Sequence, residues 1–247
     1  MSRLSAVKRG VESLPPRIIL YGTEGVGKTT FASGAPNPVL IQTEDGAGQL
    51  DVARLPVRTE FSEVIADLDS LISEEHDFQT VVIDSLDWLE RLIWKSICEE
   101  EGAKSIEFAA GGYGKGYHLA LRSWQDIASM LDYLRARGII IILLAHSKIE
   151  RIEDPENPAY DRYSPRLHKL AASYLCEWSD AVLFAQKKMR IAQSKEKSGT
   201  RAIAHGVNDE RILRVSGGPA CLAKNRYGLS GELPLSWDSL FNAMGGN

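Results

Sequence analysis

Residues 22–29 read Gly-Thr-Glu-Gly-Val-Gly-Lys-Thr. Glycine at 22, 25 and 27 lets backbone amides turn inward with no Cβ in the way, so the segment can line a concavity with N–H groups. Where a helix begins just after such a loop, its unpaired N–H groups and partial positive charge favour an anion. Lys28 has the reach to meet the outer oxygens of a polyphosphate, and the Thr29 hydroxyl is the type of group that ligates Mg²⁺ beside it. This spacing is the complete P-loop pattern. It assigns Gly22, Thr23, Glu24, Gly25, Val26, Gly27, Lys28, Thr29 and Thr30 to nucleotide binding, with ATP and Mg²⁺ as the expected ligands.

Chemistry on a bound triphosphate needs groups from other segments. Val81, Val82 and Ile83 are β-branched and lead into Asp84-Ser85, the form of a buried strand that delivers one carboxylate to a sheet edge. Asp84 is therefore the expected magnesium partner, acting through water because Mg²⁺ keeps much of its hydration shell, with Ser85 in the same water network. The alternative for Asp84 is to cap the helix expected from Leu86. Thr43-Glu44-Asp45-Gly46 closes a second apolar run. Glu44 is the candidate to orient the attacking water, Asp45 comes second, and a plain acidic turn is the alternative. Ala145-His146-Ser147-Lys148 ends a further run, where His146 either contacts the γ-phosphate and reports its loss or is an ordinary hydrogen-bonded histidine.

These groups must be held by a scaffold, and the hydrophobic pattern indicates which. Runs at 17–21, 38–43, 80–84 and 138–145 are apolar almost throughout, as in strands covered on both faces of a parallel sheet. Between them the period changes to three and four residues: Phe61, Val64, Ile65, Leu68 and Leu71; Leu86, Leu89, Ile93 and Ile97; Ala120, Trp124, Ile127, Leu131 and Leu134. Each set makes one apolar helix face, and strands alternating with helices predict an α/β fold of βαβ units. Residues 180–185 and 188–193 read as further strands, 194–199 as a polar turn, and 201–205 and 211–215 as hairpin strands. The expected organisation is an N-terminal arm or linker over 1–16, one ATPase domain over 17–235 and a short tail over 236–247.

The order of these strand ends resembles that of the RecA-fold ATPases. There a P-loop is followed by a strand ending in a catalytic Glu, then an Asp-Ser strand end, then a polar sensor. Lys28-Thr29, Glu44, Asp84-Ser85 and His146 match in turn, His146 departing from the more usual Gln. Ala223-Lys224-Asn225-Arg226-Tyr227-Gly228-Leu229 is similar to the basic pair with which that family reaches a neighbouring subunit's γ-phosphate. The resemblance thus implies that Lys224 and Arg226 act in trans within a ring or filament; a solvated basic turn is the alternative. Taken over 17–235, the wording looks most like phage-encoded nucleotide-binding proteins, some of them Sak-type single-strand annealing recombinases. It implies a RecA-like P-loop core, a mostly parallel sheet flanked by helices, with a C-terminal β-hairpin extension.

A family of that kind carries two DNA loops, and the chain has material at both places. Residues 108–117 are glycine-rich, with Tyr113, Lys115 and Tyr117 interleaved as stacking surfaces and a phosphate partner. Residues 151–166 read as a long loop holding Arg162, Tyr160 and Tyr163. Single-stranded DNA is the expected partner, and a single-strand-binding protein a further one. Net charge is −4, which excludes uniform positive charge as the basis of nucleic-acid binding. Residues 187–226 nevertheless hold ten Lys/Arg against three Asp/Glu, whereas 44–101 hold four against sixteen. Lys187, Lys188, Lys195 and Lys197 either track a phosphate backbone or cover a solvated hairpin. Cys98, Cys176 and Cys221 fit no zinc or redox spacing, and no apolar run spans a bilayer, so a reducing cytoplasm and no membrane partner are expected.

Three other readings stand beside the recombinase. A helicase or helicase loader of the same superclass is one, although a loader of the AAA+ type is expected to carry a helical lid after its core. A small-molecule kinase with an arginine-bearing lid is another. The third is a regulatory ATP-binding protein with no DNA contact.

Overall fold

The computed structural model describes residues 14–196 and 199–246 together with Val7, Arg9 and Gly10; for 189–196 and 199–209 it describes the course of the main chain alone. In chain order the elements are β1 (Arg17–Gly22), α1 (Lys28–Ser33), β2 (Pro38–Gln42), β3 (Ala53–Arg54), α2 (Phe61–Ser73), β4 (Thr80–Asp84), α3 (Leu86–Glu100) and α4 (Gly116–Ala136). They continue with β5 (Ile140–Ile152), β6 (Tyr160–Pro165), α5 (Lys169–Trp178), β7 (Ala181–Glu196), β8 (Gly199–Arg214), β9 (Lys224–Asn225), β10 (Glu232–Pro234) and α6 (Trp237–Ala243).

All the strands share one sheet in the order β10-β8-β7-β1-β5-β4-β2-β3, with β6 added to β5 and β9 to β7. From β7 to β3 the neighbours run parallel, as the continuous apolar runs require. Successive side chains then enter opposite cores. Ile19, Tyr21, Ile41, Val81, Ile83, Ile141 and Leu143 pack under α2 to α5, around the fully enclosed Trp124. Ile18, Leu20, Leu40, Val82, Ile142 and Leu144 pack against Val26, Phe31 and Leu213 on the other face. Each such side chain contributes about 1.5–3 kcal/mol by leaving water. One strand, β5, separates the P-loop strand β1 from the Asp84 strand β4, so β1, β5, β4 and β2 present four strand ends along one carboxyl edge.

The structure corrects four expectations. Residues 151–166 are not a long loop: β5 runs on to Ile152 and turns back as the antiparallel β6, leaving only 153–159 between them. The stretches expected as several short strands after residue 180 are two long ones, β7 and β8. The two-residue edge strand β3 was not anticipated. The supposed tail holds α6, capped by the Ser236 hydroxyl on the Ser239 amide, with Trp237 and Leu240 buried beside Phe31.

Candidate functional site

The P-loop leaves β1 at Gly22 and enters α1 at Lys28. A Cβ on Gly22 would come within 2.4 Å of the Ala185 carbonyl, so close passage against β7 demands glycine. Gly27 has φ +105°, a backbone that side chains rarely adopt. The Lys28 ammonium donates to the carbonyls of Gly22 (3.3 Å) and Thr23 (3.1 Å), across the concavity. Burial lowers its pKa, opposed by the nearby carboxylates of Asp84, Glu44, Asp87 and Glu24. A bound polyphosphate would relieve that desolvation with its own negative charge.

A cavity of about 370 Å³ opens over this loop, lined among others by Lys28, Thr29, Thr30, Glu44, Asp84 and His146. The P-loop and the three strand ends named from sequence therefore converge. The Thr29 hydroxyl donates to Asp84 Oδ2 at 2.7 Å. Burial raises the Asp84 pKa; Thr29 and Lys28 oppose the rise while Glu44 adds to it. Ser85 Oγ is buried beside it with no hydrogen-bond partner, the mark of a polar group awaiting water or ligand. A hydroxyl, a carboxylate and an orphaned hydroxyl fit hydrated Mg²⁺, with Thr29 and Asp84 to hold it and nucleotide oxygens to complete its shell. Its chemistry would be to offset charge on the phosphate oxygens. Among the described residues no group of three or more His, Cys, Asp or Glu could hold an ion unaided.

His146 is buried at the end of the apolar part of β5, and its amide (2.9 Å) and Nδ1 (3.1 Å) both meet the Asp87 carboxylate. Its ring lies 3.9 Å from Glu44 Oε1. Asp87 also accepts from Arg166 at 2.7 Å, and Arg166 approaches Glu24 of the P-loop at 3.8 Å. Burial alone would raise the Asp87 pKa; His146 and Arg166 outweigh it and hold the carboxyl well below the ordinary carboxylate range. Asp87, Arg166 and the cavity-lining Arg211 escaped sequence reasoning, because their partners lie far away in the chain. The first turn of α3, one step past Asp84, was the single local hint for Asp87.

The residues assigned to DNA separate. Tyr113 and Lys115 are exposed on the turn before α4, Tyr113 almost completely. Tyr117 is not available for a base: its ring stacks on His168 at 3.9 Å and meets Trp94 edge-on. Arg162 lies on β6 rather than in a loop, half-buried, with its Nε enclosed. Lys188 pairs with Glu210 across the hairpin, while the Lys195 and Lys197 side chains lie outside the described residues. Lys224 and Arg226 sit by the amino edge of the sheet, both donating to the Glu177 carbonyl and Arg226 also to Asp180. In their own chain they do not approach the P-loop.

Comparison with known proteins bears on this geometry. A family model described as an AAA domain matches residues 14–227. The chain belongs to the AAA domain family. It is accordingly a P-loop ATPase, and the family implies nucleotide binding at the converging strand ends. One curated relative of this AAA domain chain is the SPbeta prophage-derived uncharacterized protein YorG of Bacillus subtilis (strain 168). The two are 23% identical over 186 residues, covering 74% of this chain and 53% of the relative. The chain thus spans about half the length of the curated relative it matches. The helical lid expected of an AAA+ loader is absent among the described residues, where the only helix after β7 is the seven-residue α6. Among the described residues no helix is long and apolar enough to cross a membrane.

Proposed function

We propose that this ATPase assembles head-to-tail and engages single-stranded DNA, its output being strand annealing or pairing. The observation that carries the reading is the turn before α4. Tyr113 is 99% exposed and held at φ +56° between Gly112 and Gly114, with exposed Lys115 two residues on. An aromatic face and a cation on a glycine-rich turn suit a single strand, whose bases stack without regard to sequence. Because α4 descends to the start of β5, this turn lies toward the carboxyl edge that carries the phosphate site. In the proposed cycle Lys28 and the loop amides hold the triphosphate, Glu44 orients water, and His146 responds to loss of the γ-phosphate through Asp87. Lys224 and Arg226 of a neighbouring copy offset the charge developing on the transferred group. The prophage-derived relative supports a phage setting within host cytoplasm, where a single-strand-binding protein is a candidate partner.

The AAA domain family is compatible with one other reading, a helicase loader, although the described residues lack the helical lid expected of one. Hydrolysis measured with and without single-stranded DNA separates the two. Single strands are expected to stimulate turnover, and Tyr113→Ala with Lys115→Ala to remove the stimulation while basal hydrolysis persists. Turnover indifferent to single strands, but raised by a helicase, would favour the loader.

A further inference from the structure

The P-loop has two flanks. Asp84, Glu44 and His146 come from β4, the end of β2 and β5, all on one side of β1. On the other side lie β7 and β8. Across them Gly22, Ala185 and Leu213 share one row, and two residues further along β7, Lys187 faces Arg211. Residues two apart on a strand share a face. Leu213 is buried with Val26 and Phe31, so Arg211 stands directly above that cluster, over the loop. Its guanidinium Nη1 lies 2.8 Å from where a Cβ on Gly27 would sit, and it lines the same cavity as Lys28, Thr29 and Thr30. The carbonyl of Arg211 accepts the Leu235 amide, which fixes this part of β8 to the segment leading into α6.

We propose that Arg211 binds the nucleotide in cis, from the flank opposite the reacting γ-phosphate, pairing with α- and β-phosphate oxygens. The planar fork of N–H donors on a guanidinium matches phosphate geometry. Its place beside Gly27, away from Asp84 and Glu44, directs it to the phosphates that ADP and ATP have in common. The strand pattern of the C-terminal hairpin hides this role, since an arginine there looks like any solvated charge. A side chain at position 27 would strain the backbone there and displace the guanidinium. The inference rests on the P-loop assignment and extends it to a distant strand.

The test titrates fluorescent ADP and a non-hydrolysable ATP analogue against the full chain and three variants, Arg211→Ala, Arg211→Lys and Lys28→Ala, with a thermal melt of each. Arg211→Ala is expected to weaken both nucleotides by a similar factor, about tenfold or more, leaving the ratio of the two affinities as in wild type. Arg211→Lys should lose less, keeping charge without the fork, and it carries the test if the alanine variant melts early. Wild-type affinity for both nucleotides in a folded Arg211→Ala chain overturns the proposal, as does a loss confined to the triphosphate. If the wild-type chain binds ADP no better than Lys28→Ala, the P-loop reading itself fails and Arg211 with it.

Discussion

At the scale of single residues, Lys28 and Asp87 do separable work. The Lys28 ammonium lies across the concavity, so Lys28→Ala should weaken ATP binding by about a hundredfold, as a buried charge-assisted contact to phosphate does, measured by nucleotide titration. Asp87 stands one step back from the P-loop cavity, where it orients His146 and Arg166. Asp87→Asn keeps the shape but loses the charge that pairs with Arg166. Turnover should fall about 10- to 100-fold while ADP affinity stays near wild type, and unfolding in urea should show a loss of roughly 3 kcal/mol for the broken buried network. Equal losses in ADP binding and turnover would instead place Asp87 in nucleotide binding. The difference in legibility between the two residues is physical. A P-loop is local, its function written in eight adjacent positions, whereas Asp87 acquires meaning only when β5 and the end of β6 bring His146 and Arg166 to it. Tyr117 was misread for the same reason: beside Tyr113 and Lys115 it looks exposed, but His168, distant in sequence, covers its ring.

At the scale of elements, α3 links the site to the rest of the sheet face. Asp87 and Glu90 lie about one turn apart on it, and both carboxylates are buried. Burial pushes the Glu90 carboxyl up to about 7, against the opposing His168 amide and Lys148, with Asp87 adding to the rise. The folded chain therefore holds this proton more tightly than the unfolded chain, whose glutamate titrates near 4.5. The stability that Glu90 contributes is fully present below that range and is lost as pH rises through about 7, an effect of up to about 3 kcal/mol. Glu90→Gln keeps an acceptor for the His168 amide and should flatten this part of the stability-against-pH curve, measured by denaturant midpoints between pH 4 and 8. A curve of unchanged slope would show that another group titrates. Helices such as α3 were legible because one stripe of Leu and Ile meets the core at helical spacing. The far half of β5 was not, since beyond His146 its residues leave the core and alternate as a ribbon paired with β6. A pattern tuned to buried strands stops where burial stops.

At the scale of the whole molecule, the basic pair of Lys224 and Arg226 poses a question that one chain cannot answer by itself. Lys224 is bound to β7 opposite Val182, whereas Gly22 meets β7 at Ala185, roughly 10 Å further along the strand. Both side chains turn away from the P-loop, to the Glu177 carbonyl. Burial lowers the Lys224 pKa, and the neighbouring Arg226 cation lowers it further, a repulsion that an external phosphate would relieve. Arg226 also touches Asp180, but Arg17 and Arg135 remain there to hold that carboxylate, so replacing the pair need not undo the fold. If the pair serves a neighbour, Lys224→Ala with Arg226→Ala leaves a chain with an intact P-loop, and Lys28→Ala leaves one with intact fingers. Each alone should bind single strands yet hydrolyse little. Mixed in equal amounts, random assembly puts an intact P-loop against intact fingers at about a quarter of interfaces, and about that share of wild-type turnover should return, falling as the mixture is diluted. A pair that acted only within its own chain could not be rescued by mixing, so a mixture as inactive as its parts, from variants that still assemble, would remove the trans assignment and leave Lys224 and Arg226 as cations of the sheet's amino edge.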